Sequence, residues 1–345
     1  MGIDKRSGKA YYLTMKDFRI RVYGHVWAQE LLRRAVQQGA TRHAYLFAGP
    51  EHIGKMTLAR AFAQALTCEH PTGQEGVGAC GRCRSCRLTA EGMHPDHRIF
   101  APEGSQLRID QIREVVREAA LSPVEGRYKV FIITEFERAN VNAANALLKT
   151  LEEPSASTRI ILISHQPSGL LDTIISRCQL LRLRPLPERE IVSALQEQHG
   201  LSELDALRLA RLSNGRIGRA LALAETPDSW QSYNQRLQEM QAILRYSPAQ
   251  RIAHAQMLEK HPQLETILQE WLMWWRDVLL LQMQAPDLVL NRDHLAELTH
   301  LAQTIPGPQI RRFIEATMTT AGYLRKNVSR PLAMEALLLK APKHG

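Results

Sequence analysis

Four of the chain's cysteines, Cys68, Cys80, Cys83 and Cys86, form the pattern C-x11-C-x2-C-x2-C. Four thiolates at these spacings suit one tetrahedral Zn²⁺, and Gly73, Gly76, Gly78 and Gly81 permit the tight turns the ion would require. No histidine or carboxylate is interleaved in "CGRCRSC", so the ion reads as structural. An iron–sulfur cluster is the runner-up, because C-x2-C-x2-C also occurs in ferredoxin-type runs, but Ala90 stands where the next cysteine would fall. Unligated buried thiols are the third reading. Arg82, Arg84 and Arg87 could touch nucleic acid or an acidic protein, or simply be solvated.

A second constellation is "GPEHIGKMT", residues 49 to 57. Gly49, Gly54 and Lys55 meet the phosphate-loop pattern G-x-x-x-x-G-K-[ST], but the residue whose hydroxyl should ligate Mg²⁺ is Met56. A thioether cannot replace a hard oxygen ligand. Thr57 is one residue late and would point elsewhere on the helix. The strand "KVFIIT" should end in two carboxylates, one for the metal and one for the attacking water, yet the pair here is Thr134-Glu135. Both departures fall on the same Mg²⁺ site, so the loop and Lys55 could hold a phosphate or nucleotide only weakly, and hydrolysis is not expected. The alternative reading of Glu135 is a surface acid at a strand end. Ser176-Arg177-Cys178 is uninformative by itself: a surface arginine and a small core thiol. Trp271, Trp274 and Trp275 have i, i+3, i+4 spacing and read as a helix core or helix–helix contact.

These residues need elements to position them. "HAYLFAG" at 43–49 is an apolar strand leading into the glycine loop, and "MTLARAFAQALTC" carries helical spacing after it. "KVFIIT" at 129–134 and "RIILIS" at 159–164 are further buried strands, separated by the helix-forming "NVNAANALLKTLEE". Parallel strands joined by helices imply an α/β sheet covered on both faces. Pro185 and Pro187 mark a boundary, "ETPDSW" makes a second break near residue 225, and everything beyond is helical in period. The expected organisation is an extension over 1–20, an α/β domain over 21–185 with a cysteine module at 68–97, a small helical domain over 186–226 and an all-helical domain over 227–345.

At 345 residues, with 44% hydrophobic residues, the chain can build two or three cores without disulfides. The formal charge of +9 favours polyanions or acidic partners, although a solvated basic surface explains it equally well. No run of 18 apolar residues and no secretion leader are present, which reads as a soluble cytoplasmic protein without a membrane partner. Residues 1–20 are polar and aperiodic, as a disordered extension would be, and Met15 would serve equally well as a start.

The order of the pieces says more than any one of them. The stretch from "YGHVWAQELL" through "HAYLFAGPEHIGK", the cysteine module, "NAANALLKTLEEPSASTRIILIS" and "IISRC" resembles the bacterial replicative clamp-loader branch of the AAA+ ATPases over about residues 20 to 225. The resemblance implies an AAA+ α/β fold with an inserted zinc module, a helical lid and an all-α C-terminal collar. Motor subunits of that branch carry Thr or Ser after the loop lysine and Asp-Glu at the strand end. A lid arginine is also expected where this sequence has Gly218, with Arg216 and Arg219 beside it. The departures imply a non-hydrolysing member of a five-membered ring with motor (gamma/tau) and delta subunits, acting on the sliding clamp and primed DNA through the complex. The resemblance further implies that Arg177 serves as an arginine finger for a neighbour's ATP. An ATP-hydrolysing motor of the same branch and a stand-alone zinc-containing DNA-binding protein are the alternatives.

Overall fold

The computed structural model of the chain describes residues 17–104, 106–226, 228–324 and 328–342. Most of the expected N-terminal extension, Met15 included, lies outside them. The chain divides into two compact units: residues up to Leu186 together with Arg216–Gly218, and Pro187–Gly215 together with the residues from Arg219 onward.

In the first unit the elements run α1 (Val26–Gln37), β1 (Ala44–Ala48), α2 (Lys55–Thr67), α3 (Arg84–Ala90), β2 (His97–Phe100), α4 (Ile109–Ala119), β3 (Lys129–Ile133), α5 (Val141–Glu152), β4 (Thr158–Ser164), α6 (Asp172–Ile175) and β5 (Gln179–Arg182). The five strands pair in parallel in the order β2-β3-β4-β1-β5. Because strand side chains alternate between faces, each central strand feeds two cores. Tyr45, Phe47, Val130, Ile132, Ile161 and Ile163 pack on one face with Leu58, Phe62 and Leu66 of α2. Ala44, Leu46, Phe131, Ile133, Ile160 and Leu162 pack on the other with residues of α4 and α5. This is the P-loop-type α/β arrangement of the AAA+ fold class. Strands β2 and β5 escape sequence reading because they are short, polar and at the edges.

The second unit is helical: α7 (Glu188–His199), α8 (Glu203–Ser213), α9 (Ile217–Glu225) from Arg219 onward, α10 (Ser229–Ile243), α11 (Pro248–Leu258), α12 (Leu264–Gln282), α13 (Leu295–Thr304), α14 (Gly307–Leu324) and α15 (Arg330–Leu339). Trp271, Trp274 and Trp275 of α12 are all buried, and Trp271 and Trp275 meet Phe313 of α14 at ring-centroid distances of 6.3 and 5.7 Å. The tryptophan spacing therefore does mark a helix–helix core. Glu270 of α12 is buried and takes two hydrogen bonds, 2.8 and 2.9 Å, from the Arg236 fork, which offsets the cost of desolvating the carboxylate. No described helix is long and apolar enough to cross a membrane.

Candidate phosphate loop, cysteine cluster and edge arginine

The glycine loop follows β1 and opens α2. Gly49 has φ +149°, and a Cβ there would lie 2.4 Å from the Leu183 carbonyl oxygen, so only glycine fits. Gly54 has φ +99° and sits at the N-cap of α2, where no side chain caps the helix. The Lys55 ammonium is folded into the loop, donating to the carbonyls of Gly49 (2.6 Å) and Pro50 (2.5 Å). Burial pulls its pKa down to about 8, against the opposing charges of Glu137 and Glu51. Met56 packs against the core on the α2 face, and Thr57 is exposed. Across the loop, Thr134 spends its hydroxyl on the Phe100 carbonyl at 3.3 Å. Glu135 adopts φ +48° and pairs with Arg138 at 2.8 Å. At the expected lid position, Gly218 donates its N–H to the His52 carbonyl at 2.8 Å, and a Cβ would come within 3.0 Å of that oxygen. Arg219 lies 3.6 Å from Glu270.

Cys68, at the C-cap of α2, meets Cys80, Cys83 and Cys86, with all four sulfurs within 4.8 Å of one another. Such a group can hold a metal ion. Backbone N–H groups point at the sulfurs: Cys80 to Cys68 (3.3 Å), Arg82 to Cys80 (3.5 Å) and Cys86 to Cys83 (3.4 Å). Gly76, Gly78 and Gly81 have positive φ, as the turns require, whereas Gly73 serves differently: a Cβ there would strike the Ala79 carbonyl oxygen at 2.6 Å. Arg84 pairs with Glu125 at 3.0 Å. Buried Gln64 ties the module down, donating to the Cys86 and Phe18 carbonyls, both at 2.8 Å, and accepting from the Ile20 N–H at 3.1 Å.

Arg177 follows α6 at the mouth of an open cleft of about 800 Å³ that Arg42, His43 and Glu152 also line. Its guanidinium is held at 2.9 Å on the Thr173 carbonyl and at 2.5 Å on Glu152, with a third of the side chain exposed. Cys178 behind it is half-buried among apolar residues, and burial pushes its thiol up to about 12.

Two family models match the chain: "DNA polymerase III, delta subunit" over residues 25–187 and its C-terminal counterpart over 227–342. DNA polymerase III subunit delta' of Pseudomonas aeruginosa is 45% identical over 47% of this chain and 48% of its own length, so that match spans about half of the relative. Subunit delta' of Bacillus subtilis is 30% identical over 90% of this chain and 94% of its own length. The chain belongs to the DNA polymerase III delta' family. Among solved structures, a DNA polymerase III gamma-subunit-related protein of Thermotoga maritima is 19% identical with a TM-score of 0.44, covering 90% of this chain and 97% of that one.

In this delta' family member, sequence reading passed over Glu137 and His165. The His165 N–H donates to Glu137 Oε1 at 3.0 Å, while Glu137 Oε2 and His165 Nδ1 are buried without a protein partner. Burial and the charge of Lys55 hold the His165 imidazole below its ordinary pKa. No local pattern singles these residues out, since they are 28 positions apart and meet only because β3 and β4 pair.

Proposed function

We propose that this chain is a non-hydrolysing subunit of the replicative clamp loader, joining motor (gamma/tau) and delta subunits in a five-membered ring that loads the sliding clamp onto primed DNA. One observation carries the reading. In a delta' family member that keeps the phosphate loop, Met56 packs against the core and the Thr134 hydroxyl is committed to a carbonyl, so Mg²⁺ has neither protein oxygen. In this reading residues 186–226 form a lid and 227–345 a collar.

The bound metal in this proposal is one structural Zn²⁺ on Cys68, Cys80, Cys83 and Cys86. A tetrahedron with Zn–S bonds of about 2.3 Å sets its sulfurs about 3.8 Å apart. The Cys68–Cys83 and Cys80–Cys86 separations of 4.0 and 3.9 Å support that ion.

The same proposal gives Arg177 a role in trans. A guanidinium keeps its charge and offers a forked pair of donors, which suits phosphate oxygens whose charge shifts during transfer. In the isolated chain Glu152 and the Thr173 carbonyl each hold one arm of that fork; in the ring a neighbour's ATP takes their place. Arg177→Ala should slow DNA-stimulated ATPase and clamp loading by the reconstituted complex, and Arg177→Lys should do so less. A finger can be worth about 10³-fold at one site, but the motors' own fingers mask part of the loss. If Arg177→Ala lowers the melting temperature of the chain while ATPase per assembled ring is unchanged, the arginine is only an anchor.

A further inference from the structure

The phosphate loop keeps its glycines, its lysine and an uncapped helix N-terminus, the parts that cradle an anion. Loss of the two Mg²⁺ oxygens removes hydrolysis, but does not by itself remove phosphate binding. A carboxylate beside the cradle does bear on binding. Gly49 donates its N–H to the Ser164 carbonyl at 3.2 Å, and the residue that follows β4, His165, donates its N–H to Glu137 Oε1 at 3.0 Å. Two hydrogen bonds therefore connect the first glycine of the loop to the Glu137 carboxylate. Glu137 follows β3 on the side where the parallel strands end, which is where α/β sheets receive ligands. Its second oxygen is buried with no protein partner, and no Lys or Arg ion pair neutralises Glu137 among the described residues.

We propose that Glu137 is a built-in counter-anion that keeps the phosphate loop of this chain from holding a nucleotide. A phosphate entering the loop would meet Lys55, but it would also meet a fixed negative charge in a partly water-excluded place, where like charges repel strongly. Among the acids whose charge acts on Lys55, Glu137 comes first and Glu51 second. Glu135, the acid that a motor would use on water, is turned away onto Arg138. This inference does not depend on the ring or on Arg177, because it concerns binding by the chain on its own.

The test measures ATP binding to the full chain by calorimetry, with and without Mg²⁺. Glu137→Gln keeps the oxygen that accepts the His165 N–H and removes the charge, so the fold should be retained. It should bind ATP at least about tenfold more tightly than the native chain, as loss of one unscreened like charge predicts. Glu137→Ala should gain similarly, and Lys55→Ala placed on Glu137→Gln should abolish the gain. Glu135→Gln should leave binding unchanged. The proposal is overturned if neither Glu137 variant gains. It is overturned equally if only the glutamine gains, since a new amide donor would then be the cause, or if Glu135→Gln gains as much, since the effect would then be one of overall charge.

Discussion

Replacing Cys83 by serine separates the proposed metal bond from everything else this residue does. Cys83 is the N-cap of α3 and accepts the Cys86 N–H at 3.4 Å. A serine hydroxyl caps a helix at least as well, so the variant keeps the cap and loses one thiolate. Structural zinc contributes about 10–16 kcal/mol to folding in small zinc modules, as much as or more than the roughly 5–15 kcal/mol that holds a whole domain. A module deprived of that cannot stay ordered. What it takes with it can be read from the contacts. Val77, Ala79, Cys68 and Cys86 belong to the core on the α2 face, and Gln64 hangs Phe18 and Ile20 on the Cys86 carbonyl. None of these residues reaches the opposite face, where α4 and α5 pack. Hydrogen exchange on Cys83→Ser should therefore show lost protection over residues 18–20 and 68–90, with β1, β3 and β4 still protected. Native mass measurement should find one zinc per native chain and none, or a loosely held ion, in the variant. A native protein that contains iron or no metal would refute the reasoning, as would a variant whose module stays protected under chelation.

Arg251 is buried and donates to the carbonyls of Leu338 (3.3 Å), Ala341 (2.6 Å) and Pro342 (3.0 Å), closing the end of α15. Arg251→Leu leaves the Ala341 and Pro342 carbonyls without the Arg251 donor, while Leu338 keeps its bond from the Ala341 N–H, and should cost about 2–4 kcal/mol in denaturant unfolding; a change below about 0.5 kcal/mol would show the cap to be dispensable. His97 is half-buried with its ring nitrogens against Thr67 and Thr89, and desolvation lowers its pKa from 6.5 to about 3. Only the unfolded chain then protonates it between those values, so its contribution to stability is complete above pH 6.5 and falls by about 1.4 kcal/mol per unit as pH drops toward 3. His97→Gln should flatten that slope between pH 6.5 and 5.5, and an unchanged slope would reject the assignment. The unmodified chain should turn over no ATP, whereas Met56→Thr with Thr134→Asp should make nucleotide binding Mg²⁺-dependent; native turnover at roughly 1 s⁻¹ would show that the site is intact.

How far the sequence exposed this molecule depended on the range of the interaction. Strands β1, β3 and β4 are legible because both of their faces are buried, which makes them unbroken apolar runs. "HRIF" and "QLLR" carry no such signal, since β2 and β5 are four-residue edge strands whose polar ends stay near water. The tryptophan stripe is legible because helical periodicity is local. Three of the four cysteines fall within seven residues, 80 to 86, so that grouping is local too. The charge relations around the loop are not. Arg177 and Glu152 are 25 positions apart, and Glu137 and His165 are 28 apart. Nothing in "TEFERAN" indicates that Glu135 turns onto Arg138 while Glu137 turns to β4; a backbone in the left-handed region at Glu135 decides it.

That same distinction bears on the proposed loss of the Mg²⁺ site from a loop that keeps its glycines and its lysine. Gly49 cannot change without a Cβ colliding with the backbone of Leu183, which continues the chain beyond edge strand β5. Lys55 cannot leave without exposing two inward-facing carbonyls, those of Gly49 and Pro50, to a site with few other donors. Both residues therefore have folding duties that do not require a nucleotide. Residues 56 and 134 have none of comparable weight. A half-buried methionine at 56 packs against the core, which its flexible thioether does well, and a threonine at 134 satisfies its own hydroxyl on a neighbouring strand. On the proposed non-hydrolysing reading, physics constrains the glycines and the lysine and leaves the metal ligands free to drift. A near-complete loop with its Mg²⁺ oxygens missing is thus the pattern expected when structural constraint outlasts catalytic constraint.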